Sequence, residues 1–167
     1  RVTRRVDHRS ERLSRRQPVS KAPKKLYPID QLEMLAYLAG ARALTELLPI
    51  QKLLRLTGKL AELANGIGHI SHRSLETQLE RARLTAHRAS RLVPGAECLQ
   101  RALASRVFLA RRGVDSEVVV GFRMSGELEG HAWLEIRDGA LNRDLFREDG
   151  SGYRESFRES QMREQAA

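Results

Sequence analysis

Three residues whose side chains can cooperate in amide-bond chemistry follow one another along the second half of the chain: Cys98, His131 and Asp144. Cys98 follows a Pro-Gly turn and precedes apolar residues at helical spacing, which predicts that it lies in the first turn of a helix. The positive end of a helix dipole and the unpaired backbone amides at that end favour the thiolate, the form of cysteine that attacks carbonyls. A histidine can serve as the base, and a carboxylate can orient its ring. The order nucleophile, base, carboxylate therefore predicts a site for cysteine-dependent acyl transfer.

Strands must position the histidine and the carboxylate. Residues 118–120 and 132–136 have strand composition, and Asp138-Gly139 is a pair typical of a two-residue hairpin turn. We therefore expect the segment after the Cys98 helix to fold as antiparallel strands.

The predicted hairpin places His131 and its orienting group on one face. With a turn at Asp138-Gly139, Trp133 lies opposite Asp144, and Asp144 becomes a diagonal neighbour of His131. Asn142 shares this face, and Asp138 lies in the turn, so these two residues stay open as alternatives to Asp144. We take Asp144 as the candidate third member of the catalytic set.

The first half of the chain is predicted to be helical. A helix is indicated from Asp30, as the capping residue, to Pro49, which ends it. A second amphipathic stretch covers 53–63 and is broken at 65–68, and a third covers 74–92. The third helix carries basic side chains, which we expect to form a solvated surface: Arg81, Arg83 and Arg88.

These elements predict an α+β domain over residues 26–146, with a helical N-terminal half packed on a small antiparallel sheet. The Cys98 helix is expected to lie against the face of the sheet that carries His131. Residues 1–25 are expected to be a disordered basic tail and residues 147–167 a polar tail, either frayed or a marginal exposed helix.

The net charge of +9 is concentrated at the N-terminus. Residues 1–25 contain ten Arg and Lys and two acidic residues, so this segment carries +8 and the rest of the chain +1. A solvated extension is a simpler interpretation of such a tail than an arm that binds nucleic acid, so we expect no nucleic-acid partner. One cysteine, no signal peptide and no long uncharged apolar run predict a cytoplasmic protein with no membrane partner.

Four motifs and their order resemble the transglutaminase-like cysteine protease of lasso-peptide biosynthesis. They are Cys98-Leu99-Gln100-Arg101-Ala102-Leu103, Arg111-Arg112-Gly113-Val114, Val119-Val120-Gly121 and His131-Ala132-Trp133-Leu134-Glu135. The resemblance covers roughly residues 30–146. It implies a transglutaminase/papain-like core and a leader peptidase that acts on a ribosomally made precursor peptide. It also implies a separate leader-recognition protein as partner, with a lasso cyclase as a further one, and no cofactor.

Two other functions stay open at this point. The same residues could transfer the acyl group to an amine, which would make the protein a transglutaminase-type acyl transferase. Alternatively, Cys98 could be a small buried hydrophobe in a binding module with a basic arm. A metal site is not expected, because one cysteine and scattered histidines do not have ligand spacing.

Overall fold

The computed structural model describes residues 27–67, 74–138, 141–147 and 152–164. These residues form five helices and one four-stranded antiparallel sheet, so the predicted α+β class is confirmed. The helices are α1 Pro28–Leu47, α2 Ile50–Ile67, α3 Leu75–Ser90, α4 Cys98–Ala110 and α5 Glu159–Glu164. The strands are β1 Ser116–Ser125, β2 Glu127–Asp138, β3 Leu141–Leu145 and β4 Arg154–Arg158, in the spatial order β3-β2-β1-β4.

The start of α1 differs from the prediction. Pro28 occupies the first turn, where its preset φ suits a helix, and Tyr27 is the N-cap residue. Asp30 therefore lies inside the helix, where it is buried and forms an ion pair with Arg81 of α3. Arg81 is buried as well, so the expectation that it belongs to a solvated face is wrong. Arg112 also binds Asp30, at 2.9 Å, because a buried carboxylate needs several donors to replace water.

Helix α4 is the central element of the fold. It packs against α1, α2 and α3 and against strands β1 and β2. Its Leu103, Phe108 and Leu109 are buried in the hydrophobic core. The helix ends before Gly113, whose φ of +75° is the left-handed conformation that a glycine adopts at low cost. The prediction of a helix that begins at Cys98 and stops before Gly113 is thus confirmed.

The two faces of the sheet have different surroundings. Alternate residues of β2 belong to the hydrophobic core shared with α4: Ala132, Leu134 and Ile136. Because successive side chains of a strand point to opposite faces, His131 lies on the other face, together with Trp133. The expectation that α4 packs on the face of His131 is therefore wrong.

The β2–β3 hairpin is paired in a different register from the predicted one. Asp138 pairs with Leu141, and Glu135 pairs with Asp144. The prediction paired Ile136 with Leu141, so the register is displaced by two residues. A displacement of two keeps each residue on its face but moves Asp144 further along β2, away from His131.

The C-terminal segment belongs to the fold, contrary to the expectation of a polar tail over 147–167. Strand β4 pairs with β1, and α5 packs against α2. Glu159, at the start of α5, is 1% exposed and accepts hydrogen bonds from Arg106 Nε at 3.3 Å and from the backbone amide of Val118 at 3.4 Å. Residues 1–25, the predicted basic tail, lie outside the described residues. Within the described part, no helix is long and apolar enough to cross a membrane.

Candidate active site

Cys98 is the first residue of α4, and its side chain is half-buried against the hydrophobic core. The start of the helix is held by Gln100, whose Oε1 accepts a hydrogen bond from the backbone amide of Glu97 at 2.9 Å. The Nε2 of the same Gln100 donates to Thr45 Oγ1 of α1 at 3.1 Å. The thiol therefore sits at the positive end of a helix whose first turn is anchored to a neighbouring helix.

The loop before Cys98 packs closely on α1. Gly95 has a φ of +72°, and a Cβ built on it would lie 2.9 Å from Arg42 Nε. The same Nε donates to the carbonyl of Pro94 at 3.4 Å. The positive φ is the reason for a glycine here, because the Arg42 guanidinium lies at the end of a flexible side chain and could move away from a Cβ.

His131 lies in the middle of β2, where it pairs with Gly121 of β1 and is 8% exposed. Its Nε2 lies 2.7 Å from the carbonyl oxygen of Phe146. The imidazole stacks on Tyr153, with ring centroids 5.1 Å apart, and on Trp133 at 6.4 Å. Two rings therefore set the plane of the imidazole, and one hydrogen bond sets its rotation within that plane.

Asp144 lies away from the imidazole. It pairs with Glu135, which is four residues from His131, a separation of about 13 Å along a strand. Its carboxylate accepts a hydrogen bond from Arg147 Nη1 at 2.8 Å. Of the two alternatives, Asn142 pairs with Arg137 and Asp138 with Leu141, and the side chains of Asn142 and Asp138 are outside the described set.

Phe146 connects the two sides of the candidate site. Its ring packs against the core and lies 5.9 Å from the guanidinium of Arg101, in the first turns of α4, while its carbonyl binds His131. Across the described residues, the structure has no hydrogen bond between Cys98 and His131. Catalytic hydrogen bonds are often long in ligand-free enzymes and tighten only with substrate bound. The structure thus brings the first turns of α4 and His131 to the same residue, Phe146.

A charged cluster that the sequence analysis missed lies on the His131 face. Arg158 of β4 donates to Glu135 at 2.6 Å and to Glu117 at 3.2 Å. Burial raises the pKa of Glu117, but hydrogen bonds from Ser160 and Arg158 outweigh it, so the pKa lies below its ordinary value. Trp133 Nε1 donates to Glu135 at 3.5 Å. The alternation of side chains along β1 and β2 places both glutamates on the face of Trp133. The sequence pattern could therefore have predicted that these two glutamates lie near the candidate site.

One family model matches the chain, the transglutaminase-like superfamily, over residues 41–160. The match includes α4 with Cys98, β2 with His131, and β4. The chain has no significant match among curated proteins or among solved structures. Among the described residues, no group of three His, Cys, Asp or Glu could hold a metal ion. The matched region covers well over half of the chain and contains the cysteine at a helix start and the histidine on a strand. The chain therefore belongs to the transglutaminase-like superfamily.

Proposed function

We propose that this protein is a cysteine peptidase that removes the leader from a ribosomally made lasso-peptide precursor, with Cys98 as nucleophile and His131 as base. Membership of the transglutaminase-like superfamily supports cysteine-peptidase or acyltransferase activity in general. The observation that carries the assignment of roles is the position of Cys98 at the N-terminus of α4. The finer assignment to leader removal rests on the resemblance of the four sequence motifs.

The reaction would proceed in two steps. His131 takes the proton of the Cys98 thiol, and the resulting thiolate attacks the peptide carbonyl. Collapse of the tetrahedral intermediate then breaks the C–N bond as His131 gives that proton to the leaving amine. The product is a thioester on Cys98 and a free peptide amine. His131 then takes a proton from water, whose oxygen attacks the thioester, and the acid and the thiolate are released.

A backbone amide at the helix start can stabilise the oxyanion. The first amides of a helix have no partner within the helix, and the amide of Cys98 is one of them. A donor of this kind in a partly buried site contributes on the order of 10²–10³ in rate. The position of the thiol on α4 thus supplies both the nucleophile and an oxyanion donor.

The same thioester could be attacked by a primary amine, which would give the acyl-transfer reaction of a transglutaminase. Only the acceptor differs between the two reactions, so the superfamily match supports both equally. The proposed partners are the precursor peptide, a separate leader-recognition protein and a lasso cyclase. The sequence resemblance supports these partners.

The test is a cleavage assay on a lasso-peptide precursor supplied with a leader-recognition protein, followed by mass spectrometry. We expect the wild-type protein to release a leader with a free carboxylate. Cys98→Ala should give no product, because it lacks the nucleophile, and it should still fold, because only the sulfur atom of a half-buried residue is lost. An amide adduct formed when cadaverine is added would favour acyl transfer instead. Full cleavage by Cys98→Ala would contradict the proposal.

A second assay needs no substrate. A catalytic Cys98 should react with iodoacetamide at pH 6 much faster than free cysteine does. His131→Ala should slow the reaction at pH 6, and His87→Ala, on the surface of α3, is the matched control. A thiol that reacts only as a free cysteine does would favour a binding module.

A further inference from the structure

The hydrogen-bond partner of His131 is a main-chain carbonyl oxygen, and the chemistry of a carbonyl determines which ring nitrogen carries the proton. A carbonyl oxygen can only accept hydrogen bonds, so the Nε2 that lies 2.7 Å from the Phe146 carbonyl must carry a proton. In a neutral imidazole the other nitrogen, Nδ1, is then unprotonated. The proton acceptor of the site is thereby assigned to Nδ1.

We propose that the main-chain carbonyl of Phe146, and none of the carboxylates among the described residues, orients His131 and sets Nδ1 as its basic nitrogen. This inference rests on the proposed function, in which His131 is the base. Phe146 is a positioning residue, because it acts through His131 and contributes no atom to the reaction. The site is then a Cys98–His131 pair oriented by the backbone.

The conformation of Phe146 supports this role. Its φ is +72°, the one positive φ at a non-glycine residue in the described part of the chain. A phenylalanine seldom adopts this conformation, which persists only where the surroundings impose it and is found preferentially at functional sites. Here the backbone turn at Phe146 directs its carbonyl at His131, while the ring packs against the core and faces Arg101.

Within the described ranges, carboxylates on the face of His131 are bound to other groups. Asp144 is hydrogen-bonded to Arg147, and Glu135 to Arg158. Glu129, two residues before His131 on β2, is bound by Arg123 at 2.6 Å. A neutral acceptor takes the position at Nε2, whereas a negatively charged one would also stabilise the imidazolium.

The direct test is an NMR measurement of the His131 tautomer in the ligand-free wild-type protein. Long-range ¹H–¹⁵N correlations of the ¹⁵N-histidine-labelled enzyme at pH 8 show which ring nitrogen carries the proton. The signals are assigned by comparison with His131→Gln. We expect a pyrrole-type nitrogen at Nε2 and a pyridine-type nitrogen at Nδ1. A proton on Nδ1 would overturn the proposal, whatever the activity of the enzyme.

Three variants separate the backbone from the side chains. Phe146→Gly keeps the carbonyl and takes a positive φ freely, so the tautomer should be unchanged. Phe146→Val disfavours a positive φ, so it should lose the tautomer preference and slow Cys98 alkylation at pH 6 by about tenfold, the effect of one lost hydrogen bond. Asp144→Asn should change neither readout. A changed tautomer in Asp144→Asn would overturn the proposal.

The two proposals fail in different ways. If Cys98 proves inert while His131 shows the Nε2–H tautomer in the wild type and in Asp144→Asn, the proposed function is wrong and the assignment of the acceptor stands. If Cys98 cleaves the precursor while His131 carries its proton on Nδ1, the function stands and the role of Phe146 is wrong.

Discussion

Gly121→Ala is predicted to destabilise the sheet at the residue that pairs with His131. A Cβ on Gly121 would lie 2.8 Å from the carbonyl oxygen of Arg154 and 2.9 Å from Cη2 of Trp133. Neither neighbour can move easily. The first is backbone of β4, next to the irregularity in the β1–β4 pairing, and the second belongs to a side chain that is 1% exposed.

The expected size of the effect follows from the cost of overpacking. Forcing a methyl group into a filled interior costs about 1–3 kcal/mol. For a chain of this length, each kcal/mol lowers the melting temperature by about 2–4 °C, so the fall should be about 2–12 °C. The control is Gly40→Ala in α1, where a Cβ meets no heavy atom within 4 Å. There the same change should stabilise the protein by about 0.5–1 kcal/mol, because alanine loses less backbone entropy in a helix.

Thermal unfolding measures the stability of these variants, and tryptophan fluorescence measures the change at the candidate site. Trp133 is the only tryptophan in the chain, so its fluorescence reports the displacement of the ring that stacks on His131. We expect a shifted emission maximum for Gly121→Ala and an unchanged one for Gly40→Ala. Equal melting temperatures and identical spectra for Gly121→Ala and wild type would refute the packing described around Gly121.

Two further predictions concern buried charge. Arg81→Met should lower the free energy of unfolding, measured in urea, by about 3 kcal/mol, because Asp30 stays buried after losing a partner. The control is Arg83→Met, which breaks an exposed pair with Glu80 and should lower the free energy of unfolding by less than about 1 kcal/mol. An equal loss in both variants would contradict the buried pair. Glu117→Gln should flatten the acid side of the stability curve. The pKa of Glu117 is lower in the folded state, so its contribution is present above the ordinary pKa of about 4.3 and is lost as pH falls through the folded value. A steeper acid limb in the variant would show that this direction is wrong.

Local signals in the sequence were sufficient to predict α4, the helix that carries Cys98. The Pro-Gly turn before Cys98 and the glycine at 113 mark both ends of α4, and both marks depend only on neighbouring residues. The C-terminal strand was missed because its residues are mainly polar and are ordered by pairing with β1, which lies some forty residues earlier. Propensity contains no information about such a partner.

The candidate site shows why a correct face does not give a correct contact. Strand alternation placed Asp144 on the side of His131, and the observed register keeps it there, but the position of the turn decides the distance between them. The predicted turn at Asp138-Gly139 paired Asp144 with Trp133, whereas the observed register pairs it with Glu135, two residues further from His131. The group that does bind His131 is the carbonyl of Phe146, and every residue type carries a carbonyl, so no pattern of side chains could have identified it.

The C-terminal segment has a consequence for shortened forms of the protein. Strand β4 covers the edge of β1, which contains three consecutive valines at 118–120, and Glu159 neutralises the buried guanidinium of Arg106. A premature stop or a proteolytic cut before β4 would leave the apolar edge of residues 119–122 free to pair with another chain. It would also remove the buried carboxylate from Arg106, whose remaining acidic partner among the described residues is the exposed Asp115 at 3.9 Å. Such a fragment would retain both Cys98 and His131 and would nevertheless tend to aggregate. Loss of the last residues would thus act on the solubility of the protein before it acted on its chemistry.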